Sequence, residues 1–153
     1  MDKRECQKQL GWDYDKKHIL FAANPSRPEK NFRLAKQAFS MLNNGNIVLH
    51  FLNNVSPEQM PLWINSADVV MLVSLWEGSP NVIKEAMACN RPIVSTDVGD
   101  VSWLLDGMDG CHITSFDPEN IAKSLKQSLR FSENKGLTKG REKIIELGLD
   151  SKT

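Results

Sequence analysis

Two glutamates, Glu77 and Glu85, flank a Gly78-Ser79-Pro80-Asn81 turn, eight positions apart. Carboxylates are strong acceptors for sugar hydroxyls. The free N–H groups at a helix start, with the positive end of the helix dipole behind them, suit a phosphate. An apolar run over 69–75 precedes Glu77, and the residues after the turn read as a helix over 80–89 with Ser79 as its cap. Glu85 falls about one and a half turns into that helix, with its side chain leaning back toward the N-terminus. Both carboxylates and the amides of Gly78, Ser79, Asn81 and Val82 are therefore expected around one crevice, as a sugar nucleotide requires. Spacing alone favours the plainer reading, two exposed charges on a surface helix.

The elements that must hold this crevice alternate along the chain. Residues 18–23 (HILFAA) read as a buried strand that stops at Asn24-Pro25-Ser26-Arg27-Pro28. Phe32, Ala35, Ala38, Phe39 and Leu42 recur at helical spacing, and Asn43-Asn44-Gly45-Asn46 closes that helix. A strand follows over 47–52. Ser56-Pro57-Glu58-Gln59 reads as a capping box with proline at the first helical position, opening a helix that ends near Ala67. Asp68 introduces the third strand, 69–75. A fourth strand is expected over 92–95, a short helix from Gly99-Asp100 through Leu105, and a fifth strand over 111–114. Asp117-Pro118-Glu119 starts a helix with Ile121, Leu125 and Leu129 on one face, and a last helix over 134–147 is weakened by Gly136 and Gly140. Residues 1–17 are polar and lysine-rich, a linker or a short surface helix.

Several strands are continuous apolar runs, which implies cover on both faces. The expected fold is α/β: a Rossmann-like, doubly wound parallel sheet of about five strands with helices on both sides. Ligands of such sheets sit at the carboxyl ends of the strands, here the loops 24–31, 53–56, 76–81 and 96–100.

Composition narrows the function classes. The 153 residues suit one domain with a real core, and 41% of them are apolar. Nineteen basic and nineteen acidic residues give a formal net charge of zero, which argues against a nucleic-acid partner. Cys6, Cys89 and Cys111 show no zinc-ligand spacing with the three histidines. Reduced thiols, no signal-type apolar stretch in MDKRECQKQL and no run long enough for a bilayer make the cytoplasm the expected location, with the cytosolic face of a membrane left open. His18, His50 and His112 lie in or beside strands and read as packing residues, as do Trp63 and Trp103. Ser74 and Ser79 have no His–Asp partners in sequence context, so a hydrolase triad is unsupported.

The segment around the two glutamates resembles the donor-binding signature of retaining GT-B glycosyltransferases of family 4, the "glycosyl transferase group 1" enzymes. That signature is a Glu, seven residues, a second Glu, Ala-Met-Ala, then Pro-Val-Val and a glycine loop. Here it reads Glu77, seven residues, Glu85, Ala86-Met87-Ala88, then Pro92-Ile93-Val94 and Gly99, with Ala67-Asp68-Val69 ahead of the third strand. The resemblance covers roughly residues 18–131 and its neighbours make it specific.

The resemblance implies roles by position. Glu77 takes the donor sugar and Glu85 the ribose, while Gly78, Ser79, Asn81 and Val82 lie at the helix mouth that meets sugar and diphosphate. Lys30 matches the lysine that neutralises the donor diphosphate. The family's arginine, five residues earlier, is Pro25 here, and Arg27 is the candidate replacement. Lys30 and Glu77 are the residues expected closest to catalysis. The reaction implied is hexosyl-type transfer from a nucleotide-diphosphate sugar to an acceptor hydroxyl with retention, in polysaccharide or glycoconjugate synthesis. It needs neither metal nor cofactor, the nucleotide sugar being substrate.

The same resemblance implies that 18–153 is the C-terminal half of a two-domain enzyme. Its partner would be an absent N-terminal acceptor domain, and the full enzyme would be open to peripheral membrane association. The fragment alone is expected to bind donor nucleotide weakly and to transfer nothing. Asp100, Ser102 and Trp103 depart from the family's second glycine and its Pro-Glu pair, and one strand–helix pair fewer lies between Asn46 and Asp68, so the sheet is expected to be one strand smaller than in many relatives. The departures at Pro25 and Trp103 support the main alternative, a non-catalytic nucleotide-binding or interaction domain. Half of a sugar-nucleotide epimerase and a receiver domain rank lower.

Overall fold

The structure, a computed structural model, describes residues 2–149. Five strands, β1 (Lys17–Phe21), β2 (Ile47–Phe51), β3 (Val69–Leu72), β4 (Ile93–Thr96) and β5 (His112–Thr114), form one sheet in the order β2-β1-β3-β4-β5. Every pairing is parallel. Around it lie α1 (Lys3–Leu10), α2 (Phe32–Leu42), α3 (Met60–Ser66), α4 (Asn81–Ala88), α5 (Val101–Leu105), α6 (Pro118–Lys135) and α7 (Gly140–Glu146). The α/β, doubly wound reading therefore holds, with five strands.

Strand alternation builds two cores. Ile19, Phe21, Val69, Met71 and Val94 face α2 and α6, meeting Ala35, Ala38, Ile121 and Leu125. Leu20, Val70, Leu72 and Ile93 face the other way, onto Ile64 of α3, Ile83 and Met87 of α4, Leu104 of α5 and Ile144 of α7. The β1–β2 crossover helix, α2, and the β2–β3 crossover helix, α3, pack on opposite faces. The winding reverses between β1 and β3, so the loops leaving those neighbouring strands diverge and open a crevice there.

The opening segment, for which sequence left linker and helix open, is helix α1. Asp2 caps it through the Glu5 amide and left-handed Gly11 closes it. Cys6 is buried, Gln7 Nε2 donates to the Ser66 carbonyl at 2.9 Å and Lys3 pairs with the buried Asp68 at 2.6 Å, so α1 is docked onto α3 and the foot of β3.

Four boundaries differ from expectation. Pairing of β3 stops at Leu72, although Val73 and Ser74 stay buried, because the chain turns off the sheet toward the crevice. Ser56 makes no side-chain cap: residues Pro57–Gln59 form a single 3-10 turn and α3 proper starts at Met60. The N-cap of α4 is Pro80, not Ser79, whose hydroxyl is used elsewhere. The helix expected over 134–147 is two: α6 runs through Lys135, Gly136 leaves it at φ 78°, and α7 begins at Gly140. Gly140 belongs to packing, since a Cβ there would stand 2.5 Å from the Met87 carbonyl oxygen. The polar finish at 150–153 lies outside the described residues.

Candidate functional site

At the β1/β3 switch point the Leu75 amide donates to the Glu29 carbonyl at 2.9 Å, tying the loop after β3 to the loop after β1. Above that tie Lys30 Nζ donates to Glu77 Oε2. Ser74 Oγ donates to the same oxygen at 2.9 Å, and Thr96 Oγ1, at the end of β4, donates to the Ser74 carbonyl at 2.9 Å. Three strand ends thus hold one carboxylate. The Lys30 and Glu77 side chains are only 15% and 14% exposed, so the pair is screened far less than a surface ion pair. No hydrogen bond to Glu77 Oε1 occurs among the described residues.

Beyond Glu77 the chain reaches α4. Its Ile83 amide turns back to the Pro80 carbonyl at 3.1 Å, whereas Asn81 and Val82, the first two amides of the helix, have no cap bond. Pro80 cannot cap with a side-chain oxygen, so these donors stay open at the positive end of the helix. Gly78 and Ser79 are exposed beside them. Ser79 Oγ is held by Asp100 Oδ2 at 2.7 Å, linking this loop to the one after β4. The two loops also touch backbone to backbone: a Cβ on Gly99, which sits at φ 54°, would stand 1.8 Å from the Gly78 carbonyl oxygen. Glycine is required there on both counts.

Glu85 is half-buried on α4, and its carboxylate makes no hydrogen bond or ion pair among the described residues. Burial pushes its carboxyl pKa up, the ordinary response of an unpaired carboxylate losing water.

Arg27 is not part of this constellation. Its guanidinium pairs with Glu29 at 2.7 Å and lines a separate open groove with Pro25, Phe32, Arg33 and Lys36. Lys30 is the cation that reaches the crevice from that loop. His18 and His50 lie in a packed cluster: His18 Nδ1 and His50 Nε2 are 2.8 Å apart, His18 Nε2 is 2.7 Å from the Asp13 carbonyl, and Trp12 stacks on His50 at 3.5 Å between ring centroids. A carbonyl only accepts, so His18 Nε2 carries a proton.

Sequence reasoning passed over Ser74, Thr96 and Asp100 as members of the site. For Ser74 the signal was a hydroxyl at the end of an apolar run three residues before the key glutamate. Asp100 stood out as a departure from the resemblance without a place for its side chain. Thr96 gave no signal.

The family model described as "Glycosyl transferases group 1" matches residues 33–130. That span covers both glutamates, the Ala-Met-Ala run and the glycine loop. The chain belongs to the group 1 glycosyltransferases.

This group 1 domain is 37% identical over 81 residues to a D-inositol 3-phosphate glycosyltransferase of Paenarthrobacter aurescens (strain TC1), covering 52% of the chain and 20% of that protein. It is 28% identical over 117 residues to TuaC of Bacillus subtilis (strain 168), a protein named for teichuronic acid biosynthesis, covering 67% of the chain and 30% of that protein. The chain thus spans less than a third of either relative. Among solved structures it superposes on sucrose-phosphate synthase from Thermosynechococcus elongatus with a TM-score of 0.78 at 15% identity, covering 96% of the chain and 46% of the synthase. The glycosyltransferase WaaG gives a TM-score of 0.68 at 15% identity, covering 98% and 47%. These two likenesses show a shared fold. Lys30 and Arg27 precede the span that the family model matches.

Proposed function

We propose that this group 1 domain is the donor half of a two-domain glycosyltransferase that moves a sugar from a nucleotide diphosphate to an acceptor hydroxyl with retention. The observation that carries the reading is the use of Glu77. One of its oxygens is saturated by Lys30 and Ser74, and the other has no partner among the described residues. A carboxylate fixed in this way accepts a donor-sugar hydroxyl without first having to be ordered. Lys30 offsets its charge, so a diphosphate can approach.

The remaining groups divide the donor between them. The amides of Asn81 and Val82, with Gly78 and Ser79 in the preceding loop, receive the diphosphate and the negative charge that grows on it as the glycosidic bond breaks. Lys30 supplies the cation for the same charge. Glu85, half-buried and unpaired, accepts from the ribose hydroxyls, which repay its lost hydration with hydrogen bonds. The substrate is the nucleotide sugar itself, and no cofactor is assigned. The acceptor and the groups that activate it belong to an N-terminal domain outside this chain, so the 153 residues alone bind nucleotide and do not transfer sugar. A role in polysaccharide or glycoconjugate synthesis follows the naming of the Bacillus relative, and the cytoplasm is the location proposed with it. Among the described residues no helix is long and apolar enough to cross a membrane.

The test is calorimetric titration of UDP, GDP and ADP into wild type and Glu85→Ala. One nucleotide is expected to bind wild type and to lose most of its affinity in the variant. Absence of binding by all three at millimolar concentration would falsify the donor-site reading.

A further inference from the structure

The loop after β1 points its two cations in different directions. Lys30 enters the crevice, while Arg27 turns outward into an open groove of about 640 Å³ along α2. Pro25, Pro28, Phe32, Arg33 and Lys36 complete the wall used here. Glu29 is the carboxylate that reaches Arg27, and no ion pair occupies Arg33 or Lys36 among the described residues. Lys36 Nζ lies over the Phe32 ring, 6.0 Å from its centroid, a cation–π contact that holds the ammonium beside the apolar part of the groove. Apart from Glu29, which holds Arg27, the charged side chains around this groove are positive, although the chain as a whole is neutral. From residue 30 to residue 57 there is not one Asp or Glu, while Lys30, Arg33 and Lys36 fall in the first seven positions of that stretch. Three cations, two of them guanidinium forks, around an apolar floor suit a phosphoryl group carried on an organic body, and the volume lies within the range of small-molecule sites.

We propose that the Arg27–Arg33–Lys36 groove is a second anion site that binds a phosphoryl group, distinct from the crevice at Lys30 and Glu77. The phosphoryl group belongs either to a soluble phosphorylated molecule or to a lipid headgroup, and the chemistry recognised is the same. The site is independent of the donor reading, because Arg33 and Lys36 contribute nothing to the crevice.

The test uses the full chain, labelled with nitrogen-15, and the double variant Arg33→Ala/Lys36→Ala. Both side chains are exposed, so the variant should keep the wild-type fold and its spectrum should show this. Inorganic phosphate should shift the amides of residues 31–37 in a saturable way, with affinity about tenfold or more weaker in the variant, since two charge-assisted contacts are gone. In the second arm, vesicles of phosphatidylglycerol in phosphatidylcholine are compared with phosphatidylcholine alone. Retention of wild type by the anionic vesicles, lost in the variant, assigns a headgroup; phosphate binding with no vesicle retention assigns a soluble ligand. If neither probe distinguishes the variant from wild type, or if phosphate shifts only residues around Lys30 and Glu77, the second site does not exist. Nucleotide binding sensitive to Glu85→Ala should be unchanged by the double variant, which separates failure here from failure of the donor reading.

Discussion

Lys30 and Ser74 converge on the same carboxylate oxygen of Glu77, leaving the other oxygen unbonded among the described residues. The two donors come from loops after different strands, so the carboxylate is held from both sides of the switch point. Replacing Lys30 by Met leaves a largely buried carboxylate with one hydroxyl partner. The expected loss of stability is about 2 kcal/mol, the scale for stripping a partner from a buried charge. Lys30→Met/Glu77→Gln should recover most of it. A double-mutant cycle by urea denaturation measures the coupling, and additive losses would show that the pair is not energetically joined.

Glu77→Gln separates sugar from nucleotide. Ser74 can still donate to the amide oxygen, while the charge that Lys30 neutralised is removed. Affinity for the bare nucleoside diphosphate should therefore hold or rise, and the additional affinity gained from the attached sugar should fall. Calorimetry with a nucleotide and its sugar conjugate, on both proteins, reads the difference. A uniform loss for both ligands would mean that the residue only shapes the loop.

Glu85 makes stability depend on pH in a direction opposite to that of a salt-bridged carboxylate. Its folded-state pKa is raised by burial, so the folded chain holds this proton more tightly than the unfolded one. The contribution is fully present below the unfolded value and is lost as pH rises through the folded value. Glu85→Gln, which cannot ionise, should thus be more stable than wild type at pH 7, with the gap narrowing toward pH 4. Urea midpoints at the two pH values test it.

His50 works in the other direction. Burial, with a smaller contribution from neighbouring His18, lowers its pKa from 6.5 to about 4. The unfolded chain takes up a proton that the folded chain refuses, so stability is present above pH 6.5 and is lost as pH falls toward 4. His50→Gln should flatten the fall between pH 7 and pH 5, observed as a smaller drop in thermal midpoint. A drop as steep as that of wild type would place the proton uptake at another group.

Gly99→Ala should distort the crevice. The added methyl would meet the Gly78 carbonyl oxygen at 1.8 Å in a left-handed backbone. A cost of about 2–3 kcal/mol is expected from clash and strain together, with weakened nucleotide binding because Gly78 must shift. Gly45→Ala, where nothing lies within 4 Å of the new carbon, is the control and should change stability by no more than about 0.5 kcal/mol.

Much of the fold was readable because the strands are apolar runs punctuated by proline, glycine and asparagine. Asn43 does end α2 in a left-handed conformation, and Asp117 does cap α6. The errors arose where local chemistry offered two answers. Ser79 has the composition of a helix cap, but Asp100, twenty-one positions away, takes its hydroxyl. Gly140 looked like a helix weakener because its propensity is local, whereas its reason is Met87 on another helix. The two candidate glutamates drew notice through their neighbours rather than their spacing, and the hold of Lys30 and Ser74 on Glu77 came only with the structure. The outward turn of Arg27 was not visible, since a loop two prolines long does not reveal which way a side chain leaves it.

Helix α7 reaches α4 with no side chain between Gly140 and the Met87 backbone. Contacts between main chains have no rotamers with which to absorb a displacement. The helix that carries Glu85 is therefore mounted like a fixed jaw, braced from behind by a segment far along the chain. A displacement of α4 has to carry α7 with it, so the placing of Glu85 depends on a helix that comes late in the chain and shares no loop with it.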